Sequence, residues 1–154
     1  LEWEKMGRPG DPLSDFGGSF ESASCPTATQ CVAVGAYGVP SRILFETLDA
    51  RKWTIRASPR PHGEFTSVTC NSPSACYAVG TNVDSSLAER MKGTTWTVQS
   101  TSNRTGYNVL GAVSCAPGST TACTAVGYTL LGGTYTLLAE RLKGSKWIVQ
   151  TTPG

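Results

Sequence analysis

Histidine and charge are scarce in this chain, and each scarcity closes off a class of function. His62 is the only histidine, so no set of imidazoles is present to build a His-based zinc site. Asp, Glu, Lys and Arg together make up 16% of residues, with a formal net charge of +2. A field that weak argues against nucleic acid or an anionic membrane surface as partner. No apolar run reaches the roughly eighteen residues that a membrane-spanning helix needs. No signal peptide stands at Leu1, which reads as a mature, processed or trimmed chain. Helix signals are missing as well: apolar residues recur at a spacing near two, and Gly or Pro interrupts every candidate helix. No cofactor and no metal are expected.

What is abundant points to strands and turns. The 154 residues are one domain's worth of chain. The 17 glycines and 9 prolines suit many short strands joined by tight turns. The six cysteines fall into three close pairs, Cys25/Cys31, Cys70/Cys76 and Cys115/Cys123. Each pair flanks a turn, so facing strands bring the two Cβ atoms together, and an even, locally paired count reads as three disulfides. Zinc is the rival reading, but the spacing is not CxxC and histidine is wanting. Disulfides imply an oxidising compartment and hence a secreted protein.

The pairs sit inside a repeat. FESASCPTATQCVAVG opens at Phe20, FTSVTCNSPSACYAVG at Phe65 and LGAVSCAPGSTTACTAVG at Leu110. Each copy is followed by an apolar stretch and then a strand around a tryptophan: Trp53, Trp96 or Trp147. Four strands per repeat are expected. In the first they lie at 21–25, 31–37, 43–48 and 53–57. The last two strands fall at 87–91 and 96–99 in the second repeat, and at 137–142 and 147–150 in the third. The repeats span about 20–59, 65–101 and 110–152 within a single domain over 1–154. Residues 1–7, with Trp3, read as an outer strand without the rest of its repeat. The glycine after each Ala-Val (Gly35, Gly80, Gly127) reads as the point where the chain leaves the strand with little side-chain bulk. Repeats of about 40–50 residues with four strands each are the signature of a β-propeller.

The pattern Ala-Val-Gly, a variable loop, then ILFETLDARKW resembles the BNR-like and photosystem-assembly-factor propeller repeats. The Ser-Cys…Cys-x-Ala-Val-Gly form is similar to repeats of secreted actinobacterial proteins. The resemblance implies an all-β fold of propeller blades and is nearly silent on activity. The sialidase-type Asp-box is broken: only Asp49 stands near its place, and Lys92 and Lys143 occupy it in the later repeats. Three blades do not close a ring, since propellers use about four to eight. The resemblance therefore implies a partial propeller, completed by a second copy in a homo-oligomer or filament, or by blades elsewhere in a longer chain. Val32, Val34, Leu44, Val126 and Leu138 are expected on its open flanks.

Candidate chemistry falls in two groups. Leu-x-Glu recurs at Glu46, Glu89 and Glu140. A ring of carboxylates would suit a glycoside-directed enzyme; a residue present in every repeat reads rather as serving the repeat, by pairing across strands. His62 with Glu64 could be an acid–base pair, but no nucleophile motif accompanies it. The loops differ more than the strands, and in a propeller those joining consecutive repeats share a face with those between second and third strands. They carry Arg8, Asp11 and Asp15 early on, Asn82 and Asp84 later, and a candidate ligand set of Tyr37, Arg60, His62, Asn103, Arg104, Tyr107, Tyr128 and Tyr135. Tyr, Asn and Arg stack on and hydrogen-bond sugars or peptide backbones. Asn103-Arg104-Thr105 is also a glycosylation sequon. The function expected is a secreted, non-catalytic binding or assembly module, lectin-like or protein-binding. The alternatives are a glycoside hydrolase-like enzyme and a structural repeat protein that polymerises through open blade faces.

Overall fold

A computed structural model describes residues 17–153 of the chain. The outer strand expected at 1–7, and Arg8, Asp11 and Asp15, lie outside the described residues. Every described element is a strand, and the twelve strands form three four-stranded antiparallel sheets, each in chain order. Sheet 1 holds β1 (Gly18–Thr27), β2 (Gln30–Tyr37), β3 (Arg42–Asp49) and β4 (Lys52–Arg56). Sheet 2 holds β5 (Glu64–Ser72), β6 (Ala75–Asn82), β7 (Ser85–Lys92) and β8 (Thr95–Gln99). Sheet 3 holds β9 (Tyr107–Cys115), β10 (Cys123–Leu131), β11 (Thr134–Lys143) and β12 (Lys146–Val149). Most strands run a residue or more beyond the expected bounds because two-residue turns let the ladder continue to the last pair. Asn82 pairs Ser85, and Lys143 pairs Lys146.

All six cysteines are bonded, Cys25 to Cys31, Cys70 to Cys76 and Cys115 to Cys123. In sheets 2 and 3 the bonded residues are direct cross-strand partners, so each disulfide clasps the first two strands at their turn.

The sheets stack face to face. Alternation along β2 and β3 sends Val32, Val34, Ile43 and Phe45 to one side of sheet 1. There they pack on Phe65, Ala78, Leu87, Met91 and Trp96 of sheet 2. Phe45 stacks between two of these rings, with centroids 4.9 Å from Phe65 and 3.9 Å from Trp96. The opposite side of sheet 2, with Tyr77, Val79 and Ala88, packs on Leu110, Ala125, Leu138, Leu142 and Trp147 of sheet 3. Each sheet thus presents its Val-x-Val-type side to the Ala/Leu/Trp side of the next. This overturns part of the expected open flanks. Val32, Val34 and Leu138 are buried in the two seams, and Leu44 is buried too; only Val126 is exposed. The pairing direction of the sheets, which a strand's own pattern does not carry, decides which side is covered.

The seams are also stitched by hydroxyls along the first strands. Ser22 Oγ accepts the Val68 N–H at 3.2 Å, Ser24 Oγ the Cys70 N–H at 3.0 Å and Ser67 Oγ the Val113 N–H at 3.1 Å. Backbone donors on an edge strand that faces another sheet are thereby satisfied without a ladder.

The role expected for Gly35, Gly80 and Gly127 needs correction. The chain does not leave the strand there, since β6 continues to Asn82. A register shift in the first strand lies beside each glycine. The neighbouring backbone then closes over it: a Cβ on Gly80 would stand 2.0 Å from the Glu64 carbonyl oxygen, and one on Gly35 1.9 Å from that of Ser19. Only glycine fits under such a bulge.

Gly80→Ala therefore destabilises the protein by about 1–3 kcal/mol or more, whereas Ala at Gly93, where no atom lies within 4 Å, costs only the strain of its positive φ, about 1 kcal/mol. Denaturant unfolding of the two variants checks the ranking. Replacing Cys70 and Cys76 together by Ser lowers stability by about 2 kcal/mol, the chain-entropy value for so short a loop.

Candidate functional site

The linkers between sheets and the β-turns beside them form a polar rim. Between sheets 1 and 2 this rim borders an open cleft of about 480 Å³. Its walls are Pro40 and Ser41 from the β2–β3 loop, Arg60, Pro61, His62 and Gly63 from the linker, and Asn82 and Val83 from the β6–β7 turn. The linker is held in place by its backbone. Arg42 and His62 form an antiparallel bridge, and the Gly63 N–H donates to the Ser41 carbonyl at 3.1 Å. Gly63 has φ +125°, and a Cβ there would lie 2.9 Å from the Thr81 carbonyl oxygen, so the linker passes close over β6 only because glycine stands there. Val83 has φ 55° and is almost fully exposed. A β-branched residue in the left-handed region is a true backbone outlier, and here it sets an apolar lip on the cleft.

The cleft joins two candidate residues, Arg60 and His62, and adds Asn82. The other candidates lie elsewhere. Tyr107, Tyr128 and Tyr135 gather on sheet 3, where Tyr128 and Tyr135 meet edge to face at 5.2 Å and Tyr107 pairs Leu130. Burial holds the Tyr128 phenol above its ordinary value, and Tyr107, Tyr135 and Glu64 act in the same direction. Glu64, the acid–base partner expected for His62, opens β5 opposite Thr81. Tyr37 ends β2 opposite Arg42 and Gly18.

Asn103 and Arg104 hold the second linker. Asn103 Oδ1 accepts the Ser86 N–H at 2.7 Å and its hydroxyl at 2.9 Å. The Arg104 N–H donates to Asn108 Oδ1 at 3.0 Å, while Asn108 Nδ2 donates to the carbonyls of Arg104 and Gly106. Asn108, fully buried, also accepts from the Thr129 hydroxyl at 3.0 Å. Sequence reading did not single out Asn108. Its one signal was a polar residue inside an otherwise apolar strand start. Pro40, Ser41 and Pro61 were missed as well, since nothing local marks a residue as lining a cleft.

Two of the recurring carboxylates, Glu89 and Glu140, lie in the seams, and the third, Glu46, lies on the outer side of sheet 1. Glu89 and Glu140 are fully buried, and Glu46 nearly so. Glu89 Oε1 accepts the Ser58 hydroxyl at 2.9 Å. Glu140 accepts the Ser102 N–H at 3.3 Å and the Ser86 hydroxyl at 3.4 Å. Their partners come from the preceding sheet and its linker, not from the neighbouring strand as expected. Burial pushes both carboxyls up to about 7, against the opposing pull of these hydrogen bonds and, at Glu89, of Arg60. Ser58 relays the contact outward, because its Oγ also accepts the Arg60 N–H at 3.0 Å. A side chain sealed between sheets cannot reach a glycosidic oxygen, so these residues hold the sheets together.

A raised carboxyl pKa has a definite sign. Below the unfolded value near 4.5 both states hold the proton and nothing is lost. Between there and about 7 the unfolded chain gives up its proton first, so stability falls as pH rises. Glu89→Gln and Glu140→Gln should each flatten this fall between pH 5 and 8, by up to about 3 kcal/mol per site. Thermal melts across that range check it; a wild-type curve no steeper than the double variant's would sink the assignment.

Neither the scan against protein-family models nor the searches of curated proteins and of solved structures gave a match for this chain.

Proposed function

We propose that the chain is a secreted, non-catalytic binding module whose three sheets are blades of a partial β-propeller. In this reading the ligand lies in the cleft between sheets 1 and 2. Four features support it: the three disulfides, the face-to-face stacking of four-stranded sheets, a rim on which both kinds of loop meet, and carboxylates sealed away from that rim. The observation that carries the site is the convergence of Arg60, His62 and Asn82 between the apolar lips of Pro40, Pro61 and Val83. A guanidinium and an imidazole recognise a carboxylate, and an amide recognises a hydroxyl or peptide group. Apolar lips suit the flat face of a pyranose ring. An acidic sugar unit of a surface glycan meets all of these requirements, which makes the module lectin-like.

Titration calorimetry with uronate-bearing oligosaccharides tests this. Arg60→Ala should weaken binding at least tenfold and Asn82→Ala several-fold, while Tyr107→Ala leaves it unchanged. The opposite ranking would move the site to the tyrosines of sheet 3. Turnover of chromogenic glycosides by the wild type would replace the binding module with an enzyme.

A further inference from the structure

Sheet 3 ends the stack with a face that no described element covers. Its β10 and β11 send Ala125, Leu138 and Leu142 into the seam with sheet 2. The alternate residues point the other way. On that far side Val126 is 48% exposed, Leu137 59% and Tyr135 68%. The matching positions in the other sheets are shut: Val34 and Val79, which stand where Val126 does, are both 0% exposed. The face is therefore built like one that is covered by a sheet. Its charge is arranged along the strands. Arg141 and Lys143 of β11, with Lys146 of β12, stand at the disulfide end, and the Tyr128–Tyr135 pair stands at the other.

The opposite end of the stack is different. On the outer side of sheet 1, Ala33, Leu44 and Glu46 are already buried, while Trp53 and Ile55 of the edge strand β4 stay partly exposed. A head-to-tail chain of molecules needs an open face at both ends, and the middle of this one is closed. Among the described residues, the sheet 3 face is the one open across its central strands, and such a face pairs with its own kind, since a two-fold axis makes a single patch both donor and receiver.

The charge pattern also fixes the direction of that axis. An axis along the strands would set the basic end of one copy on the basic end of the other. An axis across the strands sets Arg141 of each copy over the tyrosine pair of its partner. The molecule already contains such a contact in miniature: Arg90, which stands in sheet 2 where Arg141 stands in sheet 3, lies with its guanidinium carbon 5.6 Å from the Tyr77 ring centre.

We propose that the uncovered face of sheet 3 is a self-association surface that binds a second copy of this chain across a two-fold axis perpendicular to the strands, through Val126 and Leu137, with Arg141 of each copy on Tyr128 and Tyr135 of the other. This is independent of the ligand in the cleft.

Sedimentation equilibrium of the whole oxidised chain at 1–100 µM tests it. A reversible monomer–dimer equilibrium is expected, with a dimer of twice the 16.2 kDa chain mass. Leu137→Asp should raise the dimer dissociation constant at least a hundredfold. Its melting temperature at low concentration should stay unchanged, because the side chain is exposed in the single chain. Arg141→Glu should weaken the dimer about tenfold, and Tyr135→Ser serves as the second apolar variant should Leu137→Asp fail to fold. A chain that stays monomeric at 100 µM, growth to open-ended polymers, or a dimer indifferent to both Leu137→Asp and Tyr135→Ser overturns the proposal. A dimer that Arg141→Glu leaves untouched overturns the axis direction and with it the stated arrangement.

Discussion

Everything in this molecule depends on one contact repeated twice: the apolar side of one four-stranded sheet laid on the opposite side of the next. A lone sheet of this size cannot bury both faces, so it has no core without a neighbour. Sheet 2 lies in the middle, and β6 is buried along nearly its whole length as a result. The tryptophans belong to this contact. Trp96 and Trp147 reach back from the last strand of their sheet onto the sheet before, against Phe45 and Tyr77. Trp53, with no described sheet before it, stacks on Phe20 of its own sheet and is partly exposed. The same residue is core or surface according to whether the seam exists.

The seam also explains the polar groups that it swallows. A carboxyl between two sheets is costly unless it is hydrogen-bonded or holds a proton, and Glu89 and Glu140 do both in part. In return the contact sets how the linker leaves the preceding sheet. The run from Glu89 through Ser58 to the Arg60 N–H ties the floor of the cleft to the seam beneath it. The cleft's shape is therefore a by-product of stacking, and a change at Glu89 should be felt at Arg60 without Glu89 ever touching a ligand.

Much of the fold was legible in the sequence because its causes are local. Cysteines on either side of a turn, Ala-Val-Gly at a spacing of two and a tryptophan closing each unit are properties of single hairpins. They led to the twelve described strands in the right order, three disulfides and an all-β fold. The glycines were legible as special but not for the right reason. The Glu64 carbonyl that excludes a side chain from Gly80 belongs to a bulge, and a bulge depends on how two strands pair. The candidate site fared less well. Eight residues were drawn from loops that look alike, and the structure divides them among a cleft, a tyrosine cluster, the end of β2 and a linker held by Ser86 and Asn108.

By itself the sequence determined which segments pair with their immediate neighbours, because hairpin register and disulfide closure act over a handful of residues. It also determined that each unit carries one small apolar strand, one Leu-x-Glu and one tryptophan. Only the tertiary structure decided which side of each sheet is covered. Both sides of β2 and β3 are apolar enough to be core, and the choice rests on contacts between residues about fifty positions apart, such as Phe45 with Trp96. That choice sealed Val34 and Val79 while leaving Val126 in the open, though the three occupy the same place in their repeats. It also brought Arg60, His62 and Asn82 to one cleft, since two sheets must meet before their loops can.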